Sequence, residues 1–178
     1  MLKRTINCGE LRSDHIGQKV VLNGWAHSIR DHGGLVFIDL RDRSGIVQTV
    51  VDPAVNPDAH KLATGVHQEW VLAIEGEVRA RPAGTENPNL STGEIELAIV
   101  QLIVLNPCKV LPFQVDHNGQ VNEETRLKYR YIDLRRPSML EKMKLRSGVI
   151  RQIREFMYEQ GFIEVETPVM TKSTPEGA

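Results

Sequence analysis

Apolar and polar residues alternate in five short segments within the first 106 residues of the chain. These segments are rich in Val, Ile and Leu and are bounded by Gly, Asp and Pro, which is typical of half-buried strands. We predict strands over residues 20–29, 35–41, 45–51, 70–80 and 94–105. Between the third and fourth strands, Asn56 and Pro57 are residue types that favour an N-cap and a first helical turn. One helix is therefore expected to begin there.

Three strands, a helix and two further strands form the element order of the OB-fold, a five-stranded barrel. The pattern alone also fits a generic meander or a small sandwich. We favour the barrel, so the fold class is mainly β with one helix, and residues 1–106 form the first domain.

The spacing of apolar residues changes after this domain. Residues 107–137 contain three prolines and few apolar runs, which predicts a linker or hinge. Ser138 and Glu141 have the spacing of a capping box, and apolar residues then recur at helical spacing up to Gly161. A short strand, FIEVETPVM, is expected to follow and to end at Pro168. One helix and one strand cannot form a core, so we interpret residues 138–178 as the incomplete start of an α+β domain.

Charge is distributed unevenly along the 178 residues. The chain has 22 Lys and Arg against 23 Asp and Glu, which excludes a uniformly basic nucleic-acid coat protein. Between Arg126 and Arg154, however, ten basic residues face two acidic ones, which is a local charge of +8. Two interpretations stay open for this segment: contacts with nucleic-acid phosphates, or a solvated helix face that also forms salt bridges with the missing part of its domain.

Cysteine usage and hydropathy exclude several classes of protein. Cys8 and Cys108 show neither disulfide nor zinc-site spacing, which predicts a reducing, cytoplasmic compartment and no bound metal. The chain has no apolar run of 18 residues and no signal peptide at its start, so no membrane partner is expected. Phosphate-binding loops and hydrolase or metalloprotease motifs are also lacking.

Four polar or aromatic residues interrupt the strand patterns. Phe37 shares a strand face with Asp39, away from Val36 and Ile38, where an aromatic ring could stack on an unpaired base. Gln48 could contact a base edge, and Glu96 could accept from base amino or imino groups. Taken alone, the pattern favours a Phe37 that packs under a loop, and Gln48 and Glu96 that are solvated strand residues. Arg30, at the end of its strand, could meet a phosphate or a base.

Longer motifs identify a family resemblance that covers essentially the whole chain. LKYRYIDLRRP (127–137), GFIEVETPVM (161–170) and TKSTPEGA (171–178) resemble the class II aminoacyl-tRNA synthetases of the aspartate, asparagine and lysine subgroup. The ending STPEGA is similar to the bacterial aspartyl branch. GWAHSIRDHGGLVFIDLRDRSGIVQTVV resembles the anticodon-binding OB domain of that branch.

The resemblance implies roles for individual residues. Phe37 would stack on an anticodon base, Gln48 would bind the central uridine, and Glu96 would contact the first anticodon base. Arg30 would contact the anticodon loop. Further along, Pro168 in motif 1 would lie at a homodimer interface, and Glu176 would close over the ammonium group of the amino acid.

The resemblance also implies a parent reaction, in which aspartate is joined to tRNA(Asp) through an aspartyl-adenylate with ATP and Mg²⁺. Motifs 2 and 3, which carry the ATP-binding arginines of the family, do not occur here, so we expect the chain alone to be inactive and to need no cofactor. His32 and Gly84 lie in the two loops that face the third anticodon base and resemble those of enzymes that also charge tRNA(Asn). The alternative function is a stand-alone OB-fold protein that binds single-stranded nucleic acid.

Overall fold

The computed structural model describes residues 2–115 and 119–170, and it divides into two compact units between Val110 and Leu111. In the first unit five strands form a closed barrel in the order β1-β2-β3-β5-β4. Their bounds are β1 Lys19–His32, β2 Leu35–Arg41, β3 Ile46–Val51, β4 Val71–Ala80 and β5 Ile95–Asn106. The predicted OB-fold barrel is confirmed.

Barrel closure depends on one parallel pairing. All neighbouring strands are antiparallel except β3 and β5, which pair in parallel at Thr49 with Leu97 and at Val50 with Ala98. The helix α1, Pro57–Ala63, lies in the sequence between β3 and β4. The Asn56 side chain accepts a hydrogen bond from the Ala59 backbone N–H at 3.0 Å, so the predicted N-cap is confirmed.

The barrel core follows from strand alternation. In β2, Val36, Ile38 and Leu40 are buried, and the residues between them are only partly buried. The other strands place apolar side chains inward in the same way, and α1 adds two alanines to the core. Burying such side chains is the main favourable term in folding. The central members of this core are Leu22, Ile38, Leu40, Val47, Leu72, Ile74, Ile95 and Leu97.

The turn between β1 and β2 determines where the ends of these strands lie. Gly33 and Gly34 both have positive φ, 62° and 85°, which is the backbone of a tight two-residue hairpin turn. An L side chain would be strained at either position. The turn pairs His32 with Leu35 and Arg30 with Phe37.

The segment before β1 is attached to the barrel by the buried Asp42 side chain. The Asp42 carboxylate accepts hydrogen bonds from the Cys8 backbone N–H at 2.8 Å, the Ser44 N–H at 2.8 Å and the Ser44 hydroxyl at 2.6 Å. Gly9 lies so close to the turn between β2 and β3 that an added Cβ would be 2.2 Å from the Ser44 carbonyl oxygen. One carboxylate therefore joins the N-terminal segment to the β2–β3 turn.

In the described part of the second unit there are three helices: α2 Glu123–Lys128, α3 Arg130–Asp133 and α4 Pro137–Glu159. Helices α2 and α3 lie within the predicted hinge. They were not predicted, because this segment has no apolar repeat. The expected long helix is present, and Gly161, with a φ of +81°, follows its end. The predicted capping box at Ser138 is wrong: the helix begins at Pro137, its N-cap is Arg136, and no side chain caps it.

The strand predicted around FIEVETPVM is also wrong for the described residues. Residues 162–168 are not assigned to a strand and are exposed, and Pro168 is among them. A strand requires a hydrogen-bonded neighbour. Within the described parts of the chain, no strand pairs with this segment.

We expect Asp42→Asn to lower the free energy of unfolding of the chain by about 1–3 kcal/mol, because an amide nitrogen cannot accept the hydrogen bonds that the carboxylate oxygen accepts. Urea denaturation followed by circular dichroism measures this change. Asp31→Asn, at an exposed strand position, is the matched control and should leave stability unchanged. Equal stability of the two variants would contradict the anchoring role of Asp42.

The effect of Asp42→Asn should depend on pH. Burial alone would raise the pKa of Asp42, but hydrogen bonds from Ser44 and Cys8 outweigh it and hold that pKa below its ordinary value of 3.8. The carboxylate therefore stabilises the fold above pH 3.8, and this stabilisation is lost as pH falls through the folded-state pKa. Urea titrations at several pH values should show the difference between wild type and variant shrinking only in this acidic range.

Candidate nucleic-acid interface

The outward face of β2 carries an aromatic side chain beside charged ones. Phe37 is partly buried, lies opposite Arg30 of β1 and Val50 of β3, and shares its face with Asp39. The face assignment made from the sequence is therefore confirmed. This placement puts an aromatic ring on the barrel surface next to groups that hydrogen-bond.

Three predicted site residues are joined by hydrogen bonds on this face. Arg30 Nη2 donates to Gln48 Oε1 at 3.2 Å, and Gln48 Nε2 donates to Glu96 Oε2 at 2.8 Å. Arg30 Nη2 also donates to Asp39 Oδ1 at 2.8 Å, and the Ser28 hydroxyl donates to Asp39 Oδ2 at 2.5 Å. The contacts link β1, β2, β3 and β5 into one chain of polar side chains, which we call the polar network.

Glu96 is not a solvated strand residue. It is 1% exposed, and its Oε1 accepts a hydrogen bond from Arg79 Nε at 2.8 Å. Arg79 pairs with Glu96 in the β4–β5 register, and about half of its side chain is exposed. A buried carboxylate is costly unless it is paired and hydrogen-bonded. Arg79 and Gln48 together supply those partners.

Arg79 and its neighbour Arg81 were not predicted from the sequence. Arg81 is buried, and its Nε donates to the Ile95 carbonyl oxygen at 3.0 Å. Burial lowers the pKa of Arg81, opposed by the negative charges of Glu96 and Asp39. Its Nη2 is buried and has no hydrogen-bond partner among the described residues. The two arginines are two residues apart at the end of β4. The sequence shows this spacing, but it does not show that β4 and β5 align so as to place them near Glu96.

Gly84 lies in a loop, whereas His32 lies in a strand and not in the predicted loop between the first two strands. His32 is the last residue of β1 and is exposed beside the glycine turn. Gly84, in the β4–β5 connection, has a φ of +84°, and its N–H donates to the Glu86 carboxylate at 2.8 Å. The hairpin of His32 is also held by α1, since His60 Nε2 lies 2.8 Å from the Gly34 carbonyl oxygen.

In the second unit, three arginines of the basic segment surround one aspartate. Asp133 is fully buried and pairs with Arg126 at 3.0 Å, with Arg130 at 2.5 Å and with Arg136 at 3.5 Å. Hydrogen bonds from Arg126 lower the pKa of the Asp133 carboxyl, against the effect of burial. Part of the local positive charge is thus used in ion pairs within the described residues of this unit.

Other predicted features lie outside the barrel. Glu176 is outside the described residues, and Pro168 lies in the exposed segment after α4. Within residues 2–115 and 119–170, no group of three or more His, Cys, Asp or Glu side chains could hold a metal ion. None of the described helices is long and apolar enough to cross a membrane.

We expect Arg79→Met to destabilise the chain by about 1–3 kcal/mol, because Glu96 would keep its buried charge and lose its arginine partner. Thermal or urea unfolding measures this. Arg43→Met removes an equal charge from an exposed turn and should have little effect. If both variants had wild-type stability, Arg79 would not be needed to stabilise Glu96.

Two family models match the chain. One, described as an OB-fold nucleic acid binding domain, matches residues 20–105. The other, described as tRNA synthetases class II (D, K and N), matches residues 122–178. The first coincides with the barrel, and the second begins at the N-cap of α2.

Individual proteins are similar over almost the whole chain. The aspartate–tRNA(Asp/Asn) ligase of Persephonella marina is 52% identical over 99% of this chain, and that of a Geobacillus strain is 53% identical over 100% of this chain. The chain spans 29% and 30% of the length of these relatives. Asparaginyl-tRNA synthetase from Pyrococcus horikoshii, solved with asparaginyl-adenylate, superposes with a TM-score of 0.79 at 29% identity, covering 95% of this chain and 37% of that one.

Proposed function

The chain belongs to the class II aminoacyl-tRNA synthetases of the aspartate, lysine and asparagine group, and from this we propose that its barrel recognises the anticodon of tRNA within an aspartate–tRNA ligase. The observation that carries the proposal is the polar network next to Phe37. Phe37 offers an aromatic surface for stacking, and the network beside it offers an amide for a base edge and an arginine donor on the same face of the OB-fold.

Each residue of this face has a chemical role in the proposal. Phe37 stacks on one anticodon base, which is worth about 1–3 kcal/mol for a base on an aromatic side chain. Gln48 binds the central uridine with its amide, which both donates and accepts. Glu96 is the acceptor for the first base, and Arg30 contacts the loop. We add Arg79 and Arg81, whose positive charges offset the repulsion between Glu96 and RNA phosphates.

The substrates include both tRNA(Asp) and tRNA(Asn) in this proposal. The anticodons GUC and GUU differ only in the third base, so discrimination depends on the loops that approach it. At these positions the chain presents His32, which ends β1 next to the glycine turn, and Gly84, which has no side chain to contact a base. The names of the relatives, aspartate–tRNA(Asp/Asn) ligases, agree with this assignment.

The parent reaction is proposed as an AMP-forming ligation, carried out by a cytoplasmic homodimer, with Pro168 at the dimer interface and Glu176 at the aspartate ammonium group. ATP with Mg²⁺ activates the aspartate carboxylate in such a reaction. The described residues offer no acidic cluster for that metal, so no step is assigned to it on this chain. The role of the barrel is to bind and position the tRNA, which contributes to the rate by fixing the reacting groups.

Anticodon stem-loops provide the test. We expect the 178-residue chain to bind fluorescent stem-loops bearing GUC more tightly than an unrelated triplet, and Phe37→Ala to weaken GUC binding about tenfold or more. Phe162→Ala removes an exposed aromatic from the other unit and serves as the control. Anisotropy at two salt concentrations separates base recognition from phosphate attraction. Equal binding of all triplets would instead indicate a general single-strand binder.

The same titrations test the tRNA specificity. We expect GUC and GUU stem-loops to bind within about threefold of each other, because neither His32 nor Gly84 selects the third base strongly. A preference for GUC of about tenfold, or 1.4 kcal/mol, would contradict this part of the proposal and leave anticodon recognition intact.

A further inference from the structure

Gln48 lies between two charged groups that determine which way its amide points. Its Oε1 accepts from Arg30 Nη2 at 3.2 Å, and its Nε2 donates to Glu96 Oε2 at 2.8 Å. A guanidinium can only donate hydrogen bonds and an ionised carboxylate can only accept them. Turning the amide by 180° would place N–H against N–H on one side and oxygen against oxygen on the other.

Both charged groups are themselves held in place. Glu96 is 1% exposed, and its second oxygen accepts from Arg79 at 2.8 Å. Arg30 is held by Asp39, whose other oxygen accepts from the Ser28 hydroxyl at 2.5 Å. Neither partner can therefore follow the amide if it turns.

The direction of an amide matters for pyrimidine recognition. Uracil presents an N3–H donor beside the O4 acceptor, whereas cytosine presents an N3 acceptor beside an N4 amino donor. An amide has two lone pairs on its oxygen and two N–H groups, so Gln48 retains a free acceptor and a free donor after its protein contacts are made. In one direction it matches uracil, and in the reverse direction it matches cytosine. A freely turning glutamine would accept both bases.

We propose that Glu96 and Arg30 act as positioning residues that fix the direction of the Gln48 amide and so make the site select uracil over cytosine at the central anticodon position. This inference rests on the proposed function, since it concerns the same site. It gives Glu96 an effect on the central base, which is separate from the contact with the first base that the family resemblance implies.

The test compares two stem-loops, GUC and GCC, which differ only in the central base. Wild type should prefer GUC by about tenfold or more, the usual discrimination of a well-placed pair of hydrogen bonds. Glu96→Gln leaves a neutral amide that can donate or accept, so the preference should fall to about threefold or less. Glu77→Gln removes the same charge from an exposed position of β4 and should keep the wild-type ratio.

Arg30→Gln removes the guanidinium that donates to Gln48 Oε1, so it should also lower the preference for GUC over GCC. Arg30 is half exposed, so this variant decides the matter if Glu96→Gln fails to fold. In a Gln48→Ala background the ratio should already be low, and adding Glu96→Gln should not change it further. Such non-additivity is expected only if Glu96 acts through Gln48.

A stem-loop bearing AUC separates the two roles of Glu96. If Glu96→Gln altered the preference for GUC over AUC and kept the preference for GUC over GCC, Glu96 would act on the first base alone and the inference would be overturned. Retention of the GUC over GCC preference in both variants would also overturn it. If wild type bound GUC, GCC and an unrelated triplet equally, the proposed function would fail, and this inference with it.

Discussion

The parallel pairing of β3 with β5 is the contact on which both the barrel and its outer face depend. It is short, with registered pairs at Thr49 and Val50, and it joins residues about 48 positions apart in the sequence. Without it, the five strands would form an open sheet with two edges. With it, the ring closes around the core, and Gln48 on β3 comes within hydrogen-bond distance of Glu96 on β5.

The contacts that build this face also stabilise the buried charge of Glu96. A carboxylate buried to the extent of Glu96 is unstable unless charged or polar donors replace the water it has lost. Its donors come from β3 and β4, so removal of one partner affects both the stability of the barrel and the geometry of the binding face. The two oxygens of Asp39 also accept hydrogen bonds, and both donors, Ser28 and Arg30, lie on β1.

The sequence predicted the parts of the structure that depend on local pattern. Strand alternation and turn residues gave the five strands, the N-cap of α1 and the outward position of Phe37. Contacts that depend on register were not accessible: the burial of Glu96 and its pairing with Arg79 require knowing that β4 and β5 align at these residues. Helices α2 and α3 were missed because they carry no apolar repeat. The strand near Pro168 was predicted from composition, which cannot supply a pairing partner.

The separation of inward and outward side chains affects how the sequence of such a protein can evolve. In β2 the core residues occupy alternate positions, and Phe37 and Asp39 occupy the positions between them. In the proposed function, a mutation on the outer face can therefore alter which bases are bound without opening a cavity in the core. Glu96 and Arg81 are exceptions, because they are buried and yet have a proposed role in anticodon binding. New anticodon specificities should thus arise more readily by substitution along β2 and the two loops than at the β4–β5 pair, where folding and recognition are inherited together.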